Sequence, residues 1–124
     1  MCHVLIIEDE WLIADYVEQL ARDAGATSVE IADCEADAIQ FASSHLPEII
    51  LSDVNLRAGT GPLAVDAIQA SWGPIPVIFI TAAPQDCDPR PEHAVVLTKP
   101  LNPQALTEAF KRLVPPACTA TFPG

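Results

Sequence analysis

Residues 4–10 read Val4-Leu5-Ile6-Ile7-Glu8-Asp9-Glu10, four aliphatic side chains running straight into three acids. An unbroken apolar run of this length reads as a strand buried on both faces, as in a parallel sheet. Outward from it, Leu12, Ile13, Tyr16, Val17, Leu20 and Ala24 recur at helical spacing between Trp11 and Ala24, and Gly25 supplies the stop. Residues 27–32 alternate and predict a strand nearer the sheet edge, and residues 35–44 predict a helix with Pro47 just beyond it. Ile49-Ile50-Leu51 is the next buried strand and runs into Ser52-Asp53. A glycine-bearing loop (Gly59, Gly61) leads to a helix over 63–71 that Gly73-Pro74 ends. Pro76 to Thr81 forms a fourth strand on Val77-Ile78-Phe79-Ile80, and Ala94 to Leu97 a fifth. Asn102-Pro103 then has the form of an N-cap followed by proline at the first helical position. Leu106, Ala109, Phe110 and Leu113 share one face of that last helix, and Pro115-Pro116 ends it.

The chain has 124 residues, half of them hydrophobic. That fits one domain, since single-core domains cluster around ~100–150 residues. No stretch reaches the ~18 consecutive apolar residues that span a bilayer. The N-terminal apolar run is too short for a signal-peptide core, so a cytoplasmic location is expected. A formal net charge of −11 argues against nucleic acid and an anionic membrane surface as direct partners, because both demand basic patches. The cysteines (Cys2, Cys34, Cys87, Cys118) are scattered and form no CxxC pair, so free thiols are expected. His3, His45 and His93 stand apart from the acids, with surface or structural roles expected.

Strands alternating with helices imply a parallel sheet covered on both faces, with any ligand bound beyond the carboxyl ends of the strands. Glu8-Asp9, Asp53, Thr81 and Lys99 all follow such ends. If Glu8, Asp9 and Asp53 meet within ~4 Å, each carboxylate pair repels by about 4 kcal/mol at an effective dielectric near 20, so a cation is required. Carboxylate oxygens with room for water suit Mg²⁺. A carboxylate nucleophile, a divalent ion, a lysine and a hydroxyl together make a phosphoryl-transfer site. Taken singly, each residue also has a plainer reading. Glu8-Asp9-Glu10 would fit an acidic first helical turn, Asp53 a turn or cap, Thr81 a strand residue and Lys99 a surface lysine. The loop after the first strand is acidic, which excludes a flavodoxin-like phosphate-binding loop.

Across residues 3–114 the chain resembles the receiver (response regulator, CheY-like) family. The resemblance rests on Val4–Glu10, on Ile49-Ile50-Leu51-Ser52-Asp53-Val54-Asn55-Leu56, on Ile78-Phe79-Ile80-Thr81-Ala82 and on Leu97-Thr98-Lys99-Pro100, in that order. It implies a doubly wound, five-stranded parallel α/β sheet of strand order 2-1-3-4-5. It implies Asp53 as phosphoacceptor, with Mg²⁺ held by Glu8, Asp9, Asp53 and the carbonyl of Asn55. Thr81, the Ala82 amide and Lys99 would bind the phosphoryl group, and Lys99-Pro100 would be cis. The donor would be a histidine kinase or phosphotransfer protein. The chain would catalyse its own phosphorylation and then signal to an unidentified downstream protein by contact, or act as a phosphate sink.

Two positions depart from that pattern. Val96 stands where most receivers carry a tyrosine or phenylalanine. Residues 83–93 carry three prolines in place of the fourth helix, leaving room for one turn from Pro84 at most. A shortened fourth helix is similar to the receiver part of alphaproteobacterial general-stress-response regulators. The departures leave open a pseudo-receiver that only binds proteins. The receiver is expected to span 1–116, with 117–124 a disordered tail.

Overall fold

The computed structural model describes residues 1–115 and Cys118. Five strands, β1 (His3–Ile7), β2 (Ser28–Ala32), β3 (Ile49–Ser52), β4 (Val77–Thr81) and β5 (Val95–Thr98), pair in parallel in the order β2-β1-β3-β4-β5. β1 is central to the arrangement, with Val4 opposite both Val29 and Ile49, and Ile7 opposite both Ala32 and Ser52. A strand with a neighbour on each side and a helix layer on each face has no polar position to offer. That is why β1, β3 and β4 are buried along their whole length.

Alternation along β1 divides the core in two. Val4 and Ile6 face α1 (Trp11–Asp23) and α4 (Pro103–Leu113), whose Ala14, Val17, Ala21, Leu106, Ala109 and Phe110 close that side. Leu5 and Ile7 face α2 (Glu35–Ser44) and α3 (Gly61–Trp72), which contribute Ala38, Ala42, Ala64, Val65 and Ile68. Each fully buried Ile or Leu contributes about 1.5–3 kcal/mol. The small helix residues let both layers approach the sheet closely.

On α1 the apolar stripe of the sequence is wider than the buried one. Ala14, Val17 and Ala21 are buried, whereas Leu12 and Tyr16, expected on the packed face, are exposed beside Trp11. The helix seats on its small residues, and at about 100° per residue the larger ones rotate away from the sheet. Helix α3 begins earlier than the predicted residue 63. Thr60 Oγ1 accepts from the Leu63 amide at 3.2 Å, and Pro62 occupies the first turn, where no amide is needed. Gly61, read as loop, belongs to the helix because only a residue without Cβ fits there. A Cβ at Gly61 would collide with the Asp53 carbonyl and the Ser52 hydroxyl.

Between β4 and β5 the chain makes a single 3₁₀ turn, Pro84–Asp86, within the one turn that the prolines allow. In place of a helix, the segment anchors itself by burying Cys87 in the core shared with α2 and α3. Lys99-Pro100 is cis, as is Asp88-Pro89.

The cysteines need a correction. Cys2 and Cys118 are joined by a disulfide, while Cys34 and Cys87 are free. Their sequence separation of 116 conceals their proximity. Cys2 precedes the central strand, and the end of α4 returns to that same edge on the same face. The expected boundary at residue 116 and the tail at 117–124 fall, apart from Cys118, outside the described residues.

A cross-link closing almost the whole chain removes entropy from the unfolded state, typically by about 2–4 kcal/mol. Cys118→Ser is therefore expected to lower the denaturant midpoint under non-reducing conditions and to leave it unchanged in excess dithiothreitol. Equal midpoints for wild type with and without reductant would show that the bond does not form.

Candidate functional site

The carboxyl ends of β1, β3, β4 and β5 lie along one edge of the sheet, and the sequence-predicted residues sit at or just after them. Asp53 follows β3 and is held by its own neighbours. Its amide donates to the Ile7 carbonyl at 2.8 Å, its Oδ1 accepts from the Val54 amide at 2.7 Å, and its carbonyl accepts from Ser52 Oγ at 2.6 Å. The carbonyl is thus pinned with Gly61 packed against it, and the side chain meets Lys99 through Oδ2.

Glu8 and Asp9 follow β1. Their ligating oxygens and one of Asp53 all lie within 4.8 Å of one another. Glu8 is 4% exposed, and its Oε2 accepts from the Glu10 amide at 3.1 Å. Asp9 Oδ2 accepts from the Arg57 amide at 2.8 Å, which ties the loop after β3 to the end of β1. Lys99, after β5, reaches into this group. Its Nζ lies 3.2 Å from Asp53 Oδ2 and 3.4 Å from Glu8 Oε1. Burial pulls the Lys99 pKa down, but the charges of Glu8 and Asp53 and the hydrogen bonds they accept outweigh it and raise it above the ordinary value.

Glu8 shows the opposite balance. Burial, with a smaller contribution from the Asp53 charge, pushes its carboxyl from 4.5 up to about 7, against the Glu10 amide and Lys99. One ammonium does not neutralise three carboxylates. An ion with hard oxygen ligands fits the donor set, which contains no nitrogen or sulfur.

Thr81 ends β4 and is 1% exposed, and its Oγ1 accepts from the Ala83 amide at 2.9 Å. Among the described residues no hydrogen bond joins it to Asp53. Ala82 is exposed at the lip of the edge. The Asn55 side chain meets the 3₁₀ turn, its Nδ2 donating to Asp86 Oδ2 at 3.5 Å. Two supports were not readable from the sequence. Glu35 accepts from the Thr60 amide at 3.1 Å while its own amide donates to Ala58, fixing the β3–α3 loop from α2. Arg57 overhangs a cleft of about 420 Å³ lined by Glu8, Asp9, Asp33 and Asp37. A separate cavity of about 480 Å³, lined by Ile75, Val77, Pro91 and Leu113, lies at the other end of β4.

Val96, in β5 opposite Phe79, packs half-buried against the α2–α3 core. An aliphatic side chain fixed there has no ring to swing toward Thr81.

Comparison with known proteins agrees with this architecture. Residues 4–111 match the model of the response regulator receiver domain. The chain is 39% identical over 104 residues to the phyllosphere-induced regulator PhyR of Methylorubrum extorquens, covering 81% of this chain and 39% of that protein. It thus spans well under half the length of that relative. The solution structure of the Erythrobacter litoralis PhyR receiver domain superposes with a TM-score of 0.79 at 32% identity, over 90% of this chain and 88% of that one. The Bartonella quintana protein described as the anti-anti-sigma factor PhyR gives 0.76 at 36% identity, over 90% of this chain and 46% of that one.

The Glu8 shift carries a sign that can be checked. A carboxyl whose folded pKa exceeds its unfolded value favours folding when protonated, and that advantage is lost as pH rises through about 7. In EDTA at about pH 8, Glu8→Gln is expected to stabilise the fold by roughly 1 kcal/mol, a rise of about 3–6 °C in Tm. The gain should shrink toward about pH 5. A lower Tm for the variant at the higher pH would contradict the account of Glu8.

Proposed function

This chain belongs to the response regulator receiver family, and on that premise we propose that it accepts a phosphoryl group on Asp53 within a two-component or phosphorelay pathway. The observation that carries the reading is the Asp53 carboxylate at the sheet edge, flanked by Glu8 and Asp9 and contacted by Lys99 at 3.2 Å.

Asp53 Oδ attacks the phosphorus of a phosphohistidine on a histidine kinase or phosphotransfer protein. The P–N bond breaks as the P–O bond forms, and the donor imidazole leaves with the bonding pair. Lys99 is freed from Asp53 Oδ2 as that oxygen's charge passes to the phosphoryl group, and it pairs with the new anion. The Thr81 hydroxyl and the Ala82 amide donate to the phosphoryl oxygens. Glu8, Asp9, Asp53 and the Asn55 carbonyl are the residues that would hold Mg²⁺, whose charge offsets that of the carboxylates and the phosphoryl group.

The pathway reading draws on the likeness to PhyR, for which the Bartonella protein is termed an anti-anti-sigma factor. We place the output in contact with a protein partner of such a circuit, or in use of the chain as a phosphate sink. A net charge of −11 disfavours nucleic acid and anionic membrane as direct partners, and among the described residues no helix is long and apolar enough to cross a membrane. A phosphohistidine donor would be met in the cytoplasm, and this reading puts the chain there.

Addition of Mg²⁺ and beryllofluoride is expected to shift the amide resonances around Asp53, Thr81 and Lys99, and Asp53→Ala should abolish the change. An unchanged wild-type spectrum, or the same change in the variant, would leave the chain as a protein-binding pseudo-receiver.

A further inference from the structure

At the opposite edge of the sheet, two histidines distant in sequence come into contact. His3 opens β1, Ser28 and Glu30 lie on β2, and His45 closes α2. His3 and Glu8 are separated by five residues of extended chain, about 17 Å at ~3.3 Å per residue, so this group is remote from the acidic cluster.

His3 is 4% exposed and firmly set. Its amide donates to Glu48 Oε2 at 2.6 Å, and its carbonyl accepts from the Glu48 amide at 2.8 Å. Its ring nitrogens lie 2.7 Å from Ser28 Oγ and 3.1 Å from Glu30 Oε1. The His45 ring stacks on it at 3.6 Å between centroids and 7° between planes. One ligating atom from each of His3, Glu30 and His45 lies within 4.8 Å of the other two.

The tautomer of His3 decides what this arrangement can do. When Nδ1–H donates to Ser28 Oγ, the Nε2 lone pair faces a carboxylate oxygen, and a cation is needed between them. The Nε2–Oε1 separation is close to the ~3.3 Å edge of a tetrahedral site with bonds of about 2.0–2.1 Å. Two imidazoles and one carboxylate form a zinc ligand set that leaves a fourth position open. Imidazole nitrogens favour zinc and its late first-row neighbours over Mg²⁺ and Ca²⁺. Ser28 acts as the outer partner that orients a metal-bound histidine. His45 is exposed at the carboxyl end of α2, where the free carbonyls favour positive charge, and it can turn out of the stack to complete the set.

We propose that His3 Nε2, the Glu30 carboxylate and His45 form a second divalent-cation site, of zinc preference, tying the end of α2 to the β1–β2 edge. The site is independent of the chemistry at Asp53. The other tautomer of His3, with Nε2–H donating to Glu30 Oε1 and Nδ1 accepting from Ser28 Oγ, satisfies the ring without any ion, and it prevails if zinc does not bind.

The test is calorimetric titration of the EDTA-stripped, disulfide-intact chain with Zn²⁺ in excess Mg²⁺. One equivalent is expected to bind, with affinity weakened about tenfold or more by His45→Ala and by Glu30→Gln. Both variants avoid the buried His3, whose loss would endanger the fold. Cys34→Ser should bind as wild type does, which separates this site from the Asp33, Cys34 and Asp37 group. In imidazole NMR spectra, Zn²⁺ should shift His3 and His45 and leave His93 in place. Absence of saturable binding would overturn the proposal, as would binding unaffected by His45→Ala or lost in Cys34→Ser.

Discussion

The Lys99 ammonium sits between Asp53 and Glu8, at 3.2 Å and 3.4 Å, and among the described residues it is the one cation in contact with both. Without it, three carboxylates would face one another at a partly buried sheet edge, each pair repelling by about 4 kcal/mol at ~4 Å and an effective dielectric near 20. Parallel pairing of β1 with β2 and β3 forces that proximity. Once Val4 and Ile7 are in register with Ile49 and Ser52, the residues that follow the two strands must emerge side by side. The negative charge left after Lys99 is counted is what makes the edge attractive to a hard cation. Glu8 is costly to the fold as a carboxylate, because the burial that brings it to the edge pushes its pKa up to about 7.

Much of this could be read from the chain because the strands are buried on both faces. Val4-Leu5-Ile6-Ile7, Ile49-Ile50-Leu51 and Val77-Ile78-Phe79-Ile80 have no polar interruption, so their ends, and the acids, threonine and lysine after them, were visible. What was hidden depends on groups far apart in sequence. Gly61 looks like a loop glycine until the Asp53 carbonyl is seen against it. Leu12 and Tyr16 look like core until Ala14 and Ala21 are found to be the residues that seat α1. Cys2 and Cys118 are joined across 116 residues, and His3 stacks on His45, pairings that no local pattern announces.

The segment between β4 and β5 shows how a missing helix is replaced. Cys87 enters the core shared with α2 and α3, and Asp86 meets Asn55 from the loop after Asp53. The remodelled surface thus touches the loop after Asp53 directly. Val96 packs half-buried against the α2–α3 core and carries no ring, so the Asn55–Asp86 contact is a direct link between the loop after Asp53 and this surface.

The central claim concerns covalent chemistry at one carboxylate, and intact-protein mass spectrometry after incubation with acetyl phosphate and Mg²⁺ reads it directly. The account predicts a gain of one phosphoryl mass in the wild type, its loss in EDTA, and no gain in Asp53→Asn. An unmodified wild type, or a modified Asp53→Asn, would contradict it.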